Sequence, residues 1–249
     1  MLDDFGQIQQ GLPLVYAPRH TDTHKDMRCL ELFSGTGSVG KAFTELGWDV
    51  ISVDSNPKTE ATIHADILEW DPTTITQAID FVWASPPCTQ YSIARTTAQT
   101  PRNLDLADAI VQRTLALIAY FNPRCGWAME NPDTGLMKTR PFMQSVPVLG
   151  VVDYCQYGYP YRKRTRLWGM LGAFQPRPLC VKATCLAVDA GTQRHEFSAQ
   201  RGPARKGPGQ SRGFSQDQLY SIPPLLCLAI AVAATSSARL TIRDEEMGV

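Results

Sequence analysis

Cys88 is the residue best placed for covalent chemistry, because it ends the segment Ser85-Pro86-Pro87-Cys88. The two prolines fix the backbone directly after an apolar run at 79–84, so the thiol stands where a strand should end. Open α/β sheets bind their ligands beyond the carboxyl ends of their strands. A thiolate there is a good nucleophile when a base or a dipole lowers its pKa. We predict a nucleophile, and the alternative is a cysteine that only packs in the core.

A carboxylic acid follows one α/β unit later. Glu130 lies where an apolar run at 126–129 ends, followed by Asn131 and Pro132, and it should emerge at the same sheet edge as Cys88. A carboxyl group in a partly closed apolar pocket has a raised pKa and can share a proton with a ring nitrogen. Glu-Asn-Pro alone is a common turn. The position of Glu130 relative to Cys88 favours the acid.

A glycine-rich turn, Gly35-Thr36-Gly37, separates an apolar run from a helical pattern. Backbone amides at a helix N-terminus favour a polar or anionic group close to the main chain. The next strand ends in Asp54, which can accept both hydroxyls of a ribose, and the third ends in Asp66, which can accept from an exocyclic amine. The turn has no Lys for phosphates, so an adenosine site is predicted rather than a P-loop. The alternative is a tight turn with an exposed Asp54.

These residues need a sheet whose carboxyl edge brings them together. Short apolar runs that alternate with helical patterns predict an α/β fold with a doubly wound, largely parallel sheet. The predicted strands cover 27–33, 49–54, 62–67, 79–84, 126–129, 149–152 and 165–168, and the predicted helices cover 39–46, 104–120 and 215–234, with a tail frayed from Thr241.

Composition sets further bounds. The 249 residues, 43% of them hydrophobic, suit one α/β domain with a small appendage. No apolar run reaches ~18 residues, and the polar N-terminus lacks the apolar core of a signal peptide, so no membrane segment is expected. The seven cysteines are then expected to be free thiols in a reducing cytoplasm, bacterial or that of a phage-infected host cell. We expect a monomer.

Charge is unevenly spread although the formal net charge is zero. Between Arg177 and Arg212 there are seven Lys or Arg and two acids, which leaves 17 basic and 22 acidic residues elsewhere. This stretch is also rich in Gly and Pro. A basic excess on a neutral protein indicates one anion-facing surface. The alternative is a solvated loop.

In this order, the motifs resemble those of the cytosine-C5 methyltransferases. The resemblance rests on Phe33-Ser34-Gly35-Thr36-Gly37, Asp54, Asp66, Pro86-Pro87-Cys88, Glu130-Asn131 and Gly158-Tyr159-Pro160 before a basic strand. The amino-acid sequence around Cys88 and Tyr159 is most similar to that of the compact, phage-type members of this family. The resemblance covers about 28–234, with a gap at 172–213.

The resemblance implies a Rossmann-like fold, S-adenosylmethionine as methyl donor and cytosine in double-stranded DNA as substrate. Cys88 would add to C6, Glu130 would contact N3 and the exocyclic amine, and the base would be flipped out of the duplex. The cofactor residues it implies are Phe33, Gly35, Gly37, Asp54, Asp66, Pro86 and Tyr220.

A basic strand departs from the family pattern, because 161–166 reads Tyr-Arg-Lys-Arg-Thr-Arg where the family has Gln-x-Arg-x-Arg. Without a gap, Lys163 and Thr165 take the two Arg places, and with a one-residue shift Arg164 and Arg166 do. Side chains alternate along a strand, so only one pair can face the base. We favour Lys163 and Thr165 as catalytic residues. The predicted substrate-binding residues are Arg164, Arg166, Arg201 and Lys206.

Tyr220 is a second departure. It stands where the family has an Asn near the methionine end of the cofactor, which leaves open a modified methyl donor. The third departure is the short target-recognition region. The predicted organisation is a flexible arm at 1–25, a catalytic domain at 26–171, a small basic recognition segment at 172–214 and a C-terminal helix at 215–240. Such a segment can hold phosphates and read a very short sequence; the alternative is a linker without a recognition role.

A metal site is a further possibility. Cys180 and Cys185 with His195 could supply three zinc ligands, and Cys155 could supply a fourth. The spacing is looser than C-x2-C, so the sequence favours free thiols and no metal.

Two alternative functions stay open. The same chemistry could act on RNA or with a modified methyl donor, because a basic segment does not distinguish DNA from RNA. The chain could also be a non-catalytic nucleic-acid-binding protein on the same fold, although the presence of both Cys88 and Glu130 argues against this.

Overall fold

A seven-stranded mixed sheet forms the centre of the computed structural model, which describes residues 27–95, 98–201 and 212–247. The predicted arm at 1–25 and Lys206 lie outside the described residues. The strands are β1 (Arg28–Leu32), β2 (Asp49–Asp54), β3 (Ile63–His64), β4 (Phe81–Ala84), β5 (Trp127–Pro132), β6 (Val148–Asp153) and β7 (Arg164–Met170). Their order is β3-β2-β1-β4-β5-β7-β6, and β7 runs antiparallel to both of its neighbours.

Helices cover both faces of this sheet, which confirms the doubly wound α/β prediction. They are α1 (Ser38–Glu45), α2 (Leu104–Phe121), α3 (Gln216–Tyr220) and α4 (Pro224–Met247). Alternation along the strands decides the face: Cys29 and Phe81 pack with α1 and α4, whereas Leu30 and Val82 pack with α2. Burial on both faces explains why the strands are continuous apolar runs in the sequence.

The observed boundaries agree with the predicted ones where the pattern is strong. Strand β2 has the predicted bounds, whereas β3 keeps only two of six predicted residues. Strand β5 continues to Pro132, because its last residues pair with β7. The last helix was predicted to end near residue 234 with a frayed tail from Thr241, but α4 continues to Met247.

The basic segment, residues 172–214, contains four short strands among its described residues, where the sequence shows little periodicity. An antiparallel pair joins β8 (Val188–Asp189) to β9 (Arg194–His195), and a parallel pair joins β10 (Phe197–Arg201) to β11 (Arg212–Phe214). Three of these strands have only two or three residues, which is too short for a period-2 pattern to identify them, whereas β10 has five.

The stretch Gln218–Ala238 is the one described segment that is long and apolar enough to cross a membrane, by length and composition alone. It combines the end of α3 with α4, and its inner face packs Leu226, Ile230 and Ala234 into the core beside α1. The core helix of a folded domain meets the same criterion. The absence of a membrane segment stays a prediction.

Candidate active site

A cavity of about 310 Å³ opens at the carboxyl edge of the parallel strands. Its walls come from the turn after β1, the end of β2, the loop after β4, the end of β5 and the end of α3. It brings together five of the predicted cofactor residues, Phe33, Gly35, Asp54, Pro86 and Tyr220, and three of the predicted reaction residues, Cys88, Glu130 and Lys163.

The glycine-rich turn at the mouth of the cavity has a left-handed backbone. Phe33, Gly35 and Gly37 have φ values of 58°, 49° and 65°, so Phe33 adopts a conformation that costs a side-chain residue energy. The carboxylate of Asp54 holds this turn, because it accepts from the backbone N–H of Gly35 at 2.8 Å and from that of Asn56 at 2.8 Å. The turn is therefore fixed to the end of β2 before any ligand binds.

Glu31 is a cavity residue that the sequence reasoning missed. Its buried carboxylate accepts from the backbone N–H groups of Val39 and Gly40 at the N-terminus of α1, at 3.2 and 3.1 Å. Burial raises the pKa of Glu31 to about 7, and these hydrogen bonds oppose the shift. An acid in the middle of an apolar strand was the signal that could have revealed it.

Cys88 follows β4 and is half-buried in the cavity wall. The Asn131 side-chain amide donates to the carbonyl oxygen of Pro86 at 2.8 Å, so the end of β5 fixes the loop that carries the thiol. Burial raises the pKa of the Cys88 thiol, the charge of Lys163 lowers it and the charge of Glu130 raises it further. The net shift keeps the thiol protonated in this state, rather than lowering its pKa as an activated nucleophile would require.

Glu130 is the second buried acid of the site, with 6% of its surface exposed. One oxygen, Oε1, lies 3.9 Å from Nζ of Lys163, and the other, Oε2, has no hydrogen-bond partner among the described residues. Burial raises the pKa of Glu130, and Lys163 only partly offsets this. The carboxyl group is therefore inclined to stay protonated, as a proton donor to a ring nitrogen must be.

The basic strand presents Lys163 to the cavity and its arginines elsewhere. Besides facing Glu130, Lys163 donates to the carbonyl oxygen of Leu219 at 3.2 Å and thereby ties the end of α3 to the site. Arg164 pairs with Asp153 and Arg166 pairs with Asp133, with shortest N–O distances of 2.7 and 2.8 Å. The geometry thus favours the ungapped alignment, with Lys163 facing the base position, and it gives no support to substrate binding by the two arginines.

Three of the predicted site residues lie outside the cavity lining, and the side chain of a fourth is not described by the structure. Thr165 is fully buried beneath the site, and exposed Asp66 accepts from the backbone N–H of Leu68 at 2.9 Å. Gly37 supports the turn as the residue that caps α1. Arg201 ends β10, and its side chain lies outside the description. The roles of all four stay predictions.

Buried polar atoms that lack a hydrogen-bond partner among the described residues are concentrated around this edge. They include Glu130 Oε2, Asn131 Oδ1, Tyr154 Oη and Thr165 Oγ1. Such atoms are rare in folded proteins because desolvation without a partner is unfavourable. Of these residues, Glu130 and Asn131 line the cavity, whereas Tyr154 lies outside the lining and interacts with the side chains of Glu130 and Thr165.

The predicted metal ligands Cys155, Cys180, Cys185 and His195 also come together, but none of them lines the cavity. All seven cysteines of the chain lie in the described ranges, and all are free thiols.

No family model matches the chain. Among known proteins, the chain is similar to the probable DNA (cytosine-5)-methyltransferase of frog virus 3 (isolate Goorha), with 34% identity over 222 residues that cover 82% of this chain and 98% of the relative. Among solved structures, it is similar to a protein assigned as a DNA modification methyltransferase in an E. coli prophage (TM-score 0.46, 16% identity) and to a variant of Spodoptera frugiperda DNMT2 (TM-score 0.41, 20% identity). It covers 52% and 54% of those two chains, which match 62% and 61% of it.

Proposed function

Because the chain belongs to the DNA cytosine-5 methyltransferases, we propose that it methylates C5 of a flipped-out cytosine in double-stranded DNA through a covalent adduct with Cys88. The observation that carries this mechanism is the shared cavity, which places the Cys88 thiol, the buried Glu130 carboxyl and the Lys163 ammonium at one sheet edge. A protein that only binds nucleic acid has no need of a nucleophile and a raised-pKa acid in the same cavity.

The residues at the cavity mouth fit S-adenosylmethionine. The left-handed turn at Gly35 and Gly37 lets a ligand approach the main chain, and each Asp54 oxygen keeps a lone pair for a ribose hydroxyl after accepting one backbone N–H. Phe33 and Tyr220 offer aromatic surface on the lining. When bound, this cofactor supplies the electrophilic methyl group.

Cys88 begins the reaction as the nucleophile. Its thiolate forms a bond from Sγ to C6 of cytosine, and the electron pair of the C5–C6 double bond moves toward C5 and N3. The positive charge of Lys163 favours the thiolate against the burial that opposes it. The Pro86 carbonyl held by Asn131 keeps the loop, and hence Sγ, in place during the addition.

Glu130 acts on the opposite edge of the base. A protonated carboxyl donates to N3 as negative charge develops there, while its second oxygen accepts from the exocyclic amine, which matches the unpartnered Oε2. After C5 carries the methyl group, loss of the C5 proton to solvent and cleavage of the Sγ–C6 bond restore the C5–C6 double bond and the free thiolate of Cys88, and the N3 proton returns to Glu130.

The setting we propose is a monomer in a reducing cytoplasm, that of a bacterium or a phage-infected host cell. Sedimentation of the protein with and without a short duplex tests the stoichiometry, and a dimer at micromolar concentration would contradict it.

The deciding experiment measures 5-methylcytosine by nucleoside mass analysis after incubation with S-adenosylmethionine and either duplex DNA or RNA. We expect 5-methylcytosine in DNA, and 5-methylcytosine found only in RNA would refute DNA as the substrate. A duplex with 5-fluorocytosine cannot lose its C5 substituent, so it should trap Cys88 covalently.

Cys88→Ala should lose roughly 10⁴-fold or more in turnover while still binding cofactor, whereas Cys125→Ala, at the far end of β5, serves as the matched control. Retained turnover in Cys88→Ala would refute the mechanism.

A further inference from the structure

Four side chains outside the cavity converge on one point. The ligand atoms of Cys155, Cys180, Cys185 and His195 all lie within 4.8 Å of one another. We propose that they bind a structural zinc ion, which fastens the basic segment to the catalytic sheet. This metal site does not depend on the methyltransferase reaction and is tested apart from it.

The distances agree with tetrahedral coordination. Nε2 of His195 lies 3.6 Å from Sγ of Cys180 and 3.6 Å from Sγ of Cys185. A tetrahedral zinc ion with Zn–S of about 2.3 Å and Zn–N of about 2.0 Å holds such S and N atoms about 3.5 Å apart. Two zinc-bound sulfurs lie about 3.8 Å apart, so the ion would draw the widest pair inward by at most about 1 Å.

The ligand set identifies the metal and its role. Three thiolates and one imidazole are soft and borderline ligands, which select zinc over magnesium or calcium. Four protein ligands leave no open coordination position, so the site is structural rather than catalytic. The amide of Gln156 lies 4.0 Å from Sγ of Cys155 and 3.9 Å from Sγ of Cys185, where its N–H groups can stabilise thiolate charge.

The ligands come from two parts of the molecule. Cys155 lies in the turn that directly follows β6 of the central sheet, whereas the other three belong to the basic segment. Beside the cluster, the backbone N–H of Cys180 donates to buried Asp153 at 3.0 Å. One ion would therefore crosslink the segment to the sheet next to the strand that carries Lys163.

The middle of the basic segment benefits from such a crosslink because it buries few side chains, although Phe174, Phe197 and Phe214 nearer its ends contact the main core. Among its described residues from 175 to 199, Cys185 alone is buried, while Val181 and Leu186 are exposed. Small irregular segments that bury little apolar surface are commonly held by a metal or by disulfides. A disulfide between two of these thiols would not explain why the third thiol and His195 lie in the same cluster.

Metal analysis of the full chain purified from zinc-supplemented medium tests the site directly. We expect about one zinc per chain after gel filtration in the presence of a weak chelator. A mercurial that reacts with the three thiols of the cluster should release this zinc. Cobalt should replace zinc with the absorption of a tetrahedral thiolate complex. A chain with neither zinc nor cobalt binding, or with acid-labile sulfide and iron, would overturn the proposal.

Variants locate the ion. His195→Ala and Cys180→Ser should reduce the zinc content from about one per chain to near zero, whereas His64→Ala, which removes an exposed histidine on β3, should keep it. Strong chelation of the unaltered chain should speed tryptic cleavage within 172–201 and leave cofactor binding intact. Unchanged zinc content in both ligand variants would refute the assignment, whatever the outcome of the methylation assay.

Discussion

The cavity at the sheet edge and the basic segment are built by opposite means. The cavity residues stand on or directly after strands that are buried on both faces, and Glu130 is positioned by its pairing with Leu167 of β7, next to the ladder between β4 and β5. In the basic segment, the described residues from 175 to 199 bury one side chain, and that side chain is a proposed metal ligand.

This difference follows from what each region must do. Covalent chemistry needs groups held to within about 0.5 Å, which only packed elements provide. Contacts with a phosphate backbone are set by charge and tolerate small displacements. If the basic segment holds DNA, as the proposed function requires, it can be built with fewer buried contacts than the cavity that carries the reaction.

After removal of the Cys88 thiol, the largest effect expected at the cavity comes from Glu130→Gln. The amide keeps the shape but cannot donate a proton to N3 as an acid does, so kcat should fall about 10²–10⁴-fold. Cofactor affinity and zinc content should stay unchanged, which would show that the two regions are independent. Asp105→Asn, on the exposed N-terminal turn of α2, is the control carboxylate. A variant with near-normal kcat would remove Glu130 from the mechanism.

A pH dependence of stability should come from the sheet edge through Glu31. Burial raises its folded pKa to about 7, above the ordinary 4.5, so its contribution to stability is present below pH 4.5 and is lost as the pH rises through 7. The loss approaches about 3 kcal/mol, from about 1.4 kcal/mol per unit of pKa. Urea denaturation from pH 5 to 8 measures it. Glu31→Gln should flatten the curve, and an equally steep curve in that variant would contradict the prediction.

The two regions also differ in how far the sequence predicts them. Strand β2 and most of α2 were predicted at their bounds because long periodic patterns identify long elements. The place of β7 between β5 and β6 was not predictable, because it depends on long-range pairing, and it decides that Lys163 rather than Arg164 faces Glu130. The sequence also suggested Cys155 as a fourth metal ligand, but only the fold shows that its ligand atom and those of Cys180, Cys185 and His195 come together.

A smaller difference between the two regions is expected when a single methyl group is added to a glycine in each of them. A Cβ at Gly40 would lie 2.6 Å from Oε2 of Glu31, whereas one at Gly172, at the start of the basic segment, would meet nothing within 4 Å. Gly40→Ala should therefore lower the free energy of unfolding by about 1–3 kcal/mol, and Gly172→Ala should change it by less than about 0.5 kcal/mol. Urea denaturation of both variants at pH 8 measures the difference. Equal stability of the two would show that α1 can move away from β1 at no cost.

The smallest effect concerns the reactivity of Cys88. Lys163 lowers the pKa of this thiol, which burial has raised, so Lys163→Met should raise that pKa further and leave less thiolate at any given pH. The pH midpoint for alkylation of Cys88 by iodoacetamide should then move upward. Arg166→Met removes a positive charge on the opposite face, where Arg166 is paired with Asp133, so it should leave the midpoint in place. Equal shifts in both variants would mean that Cys88 responds to the overall charge of the protein and not to the Lys163 side chain beside it.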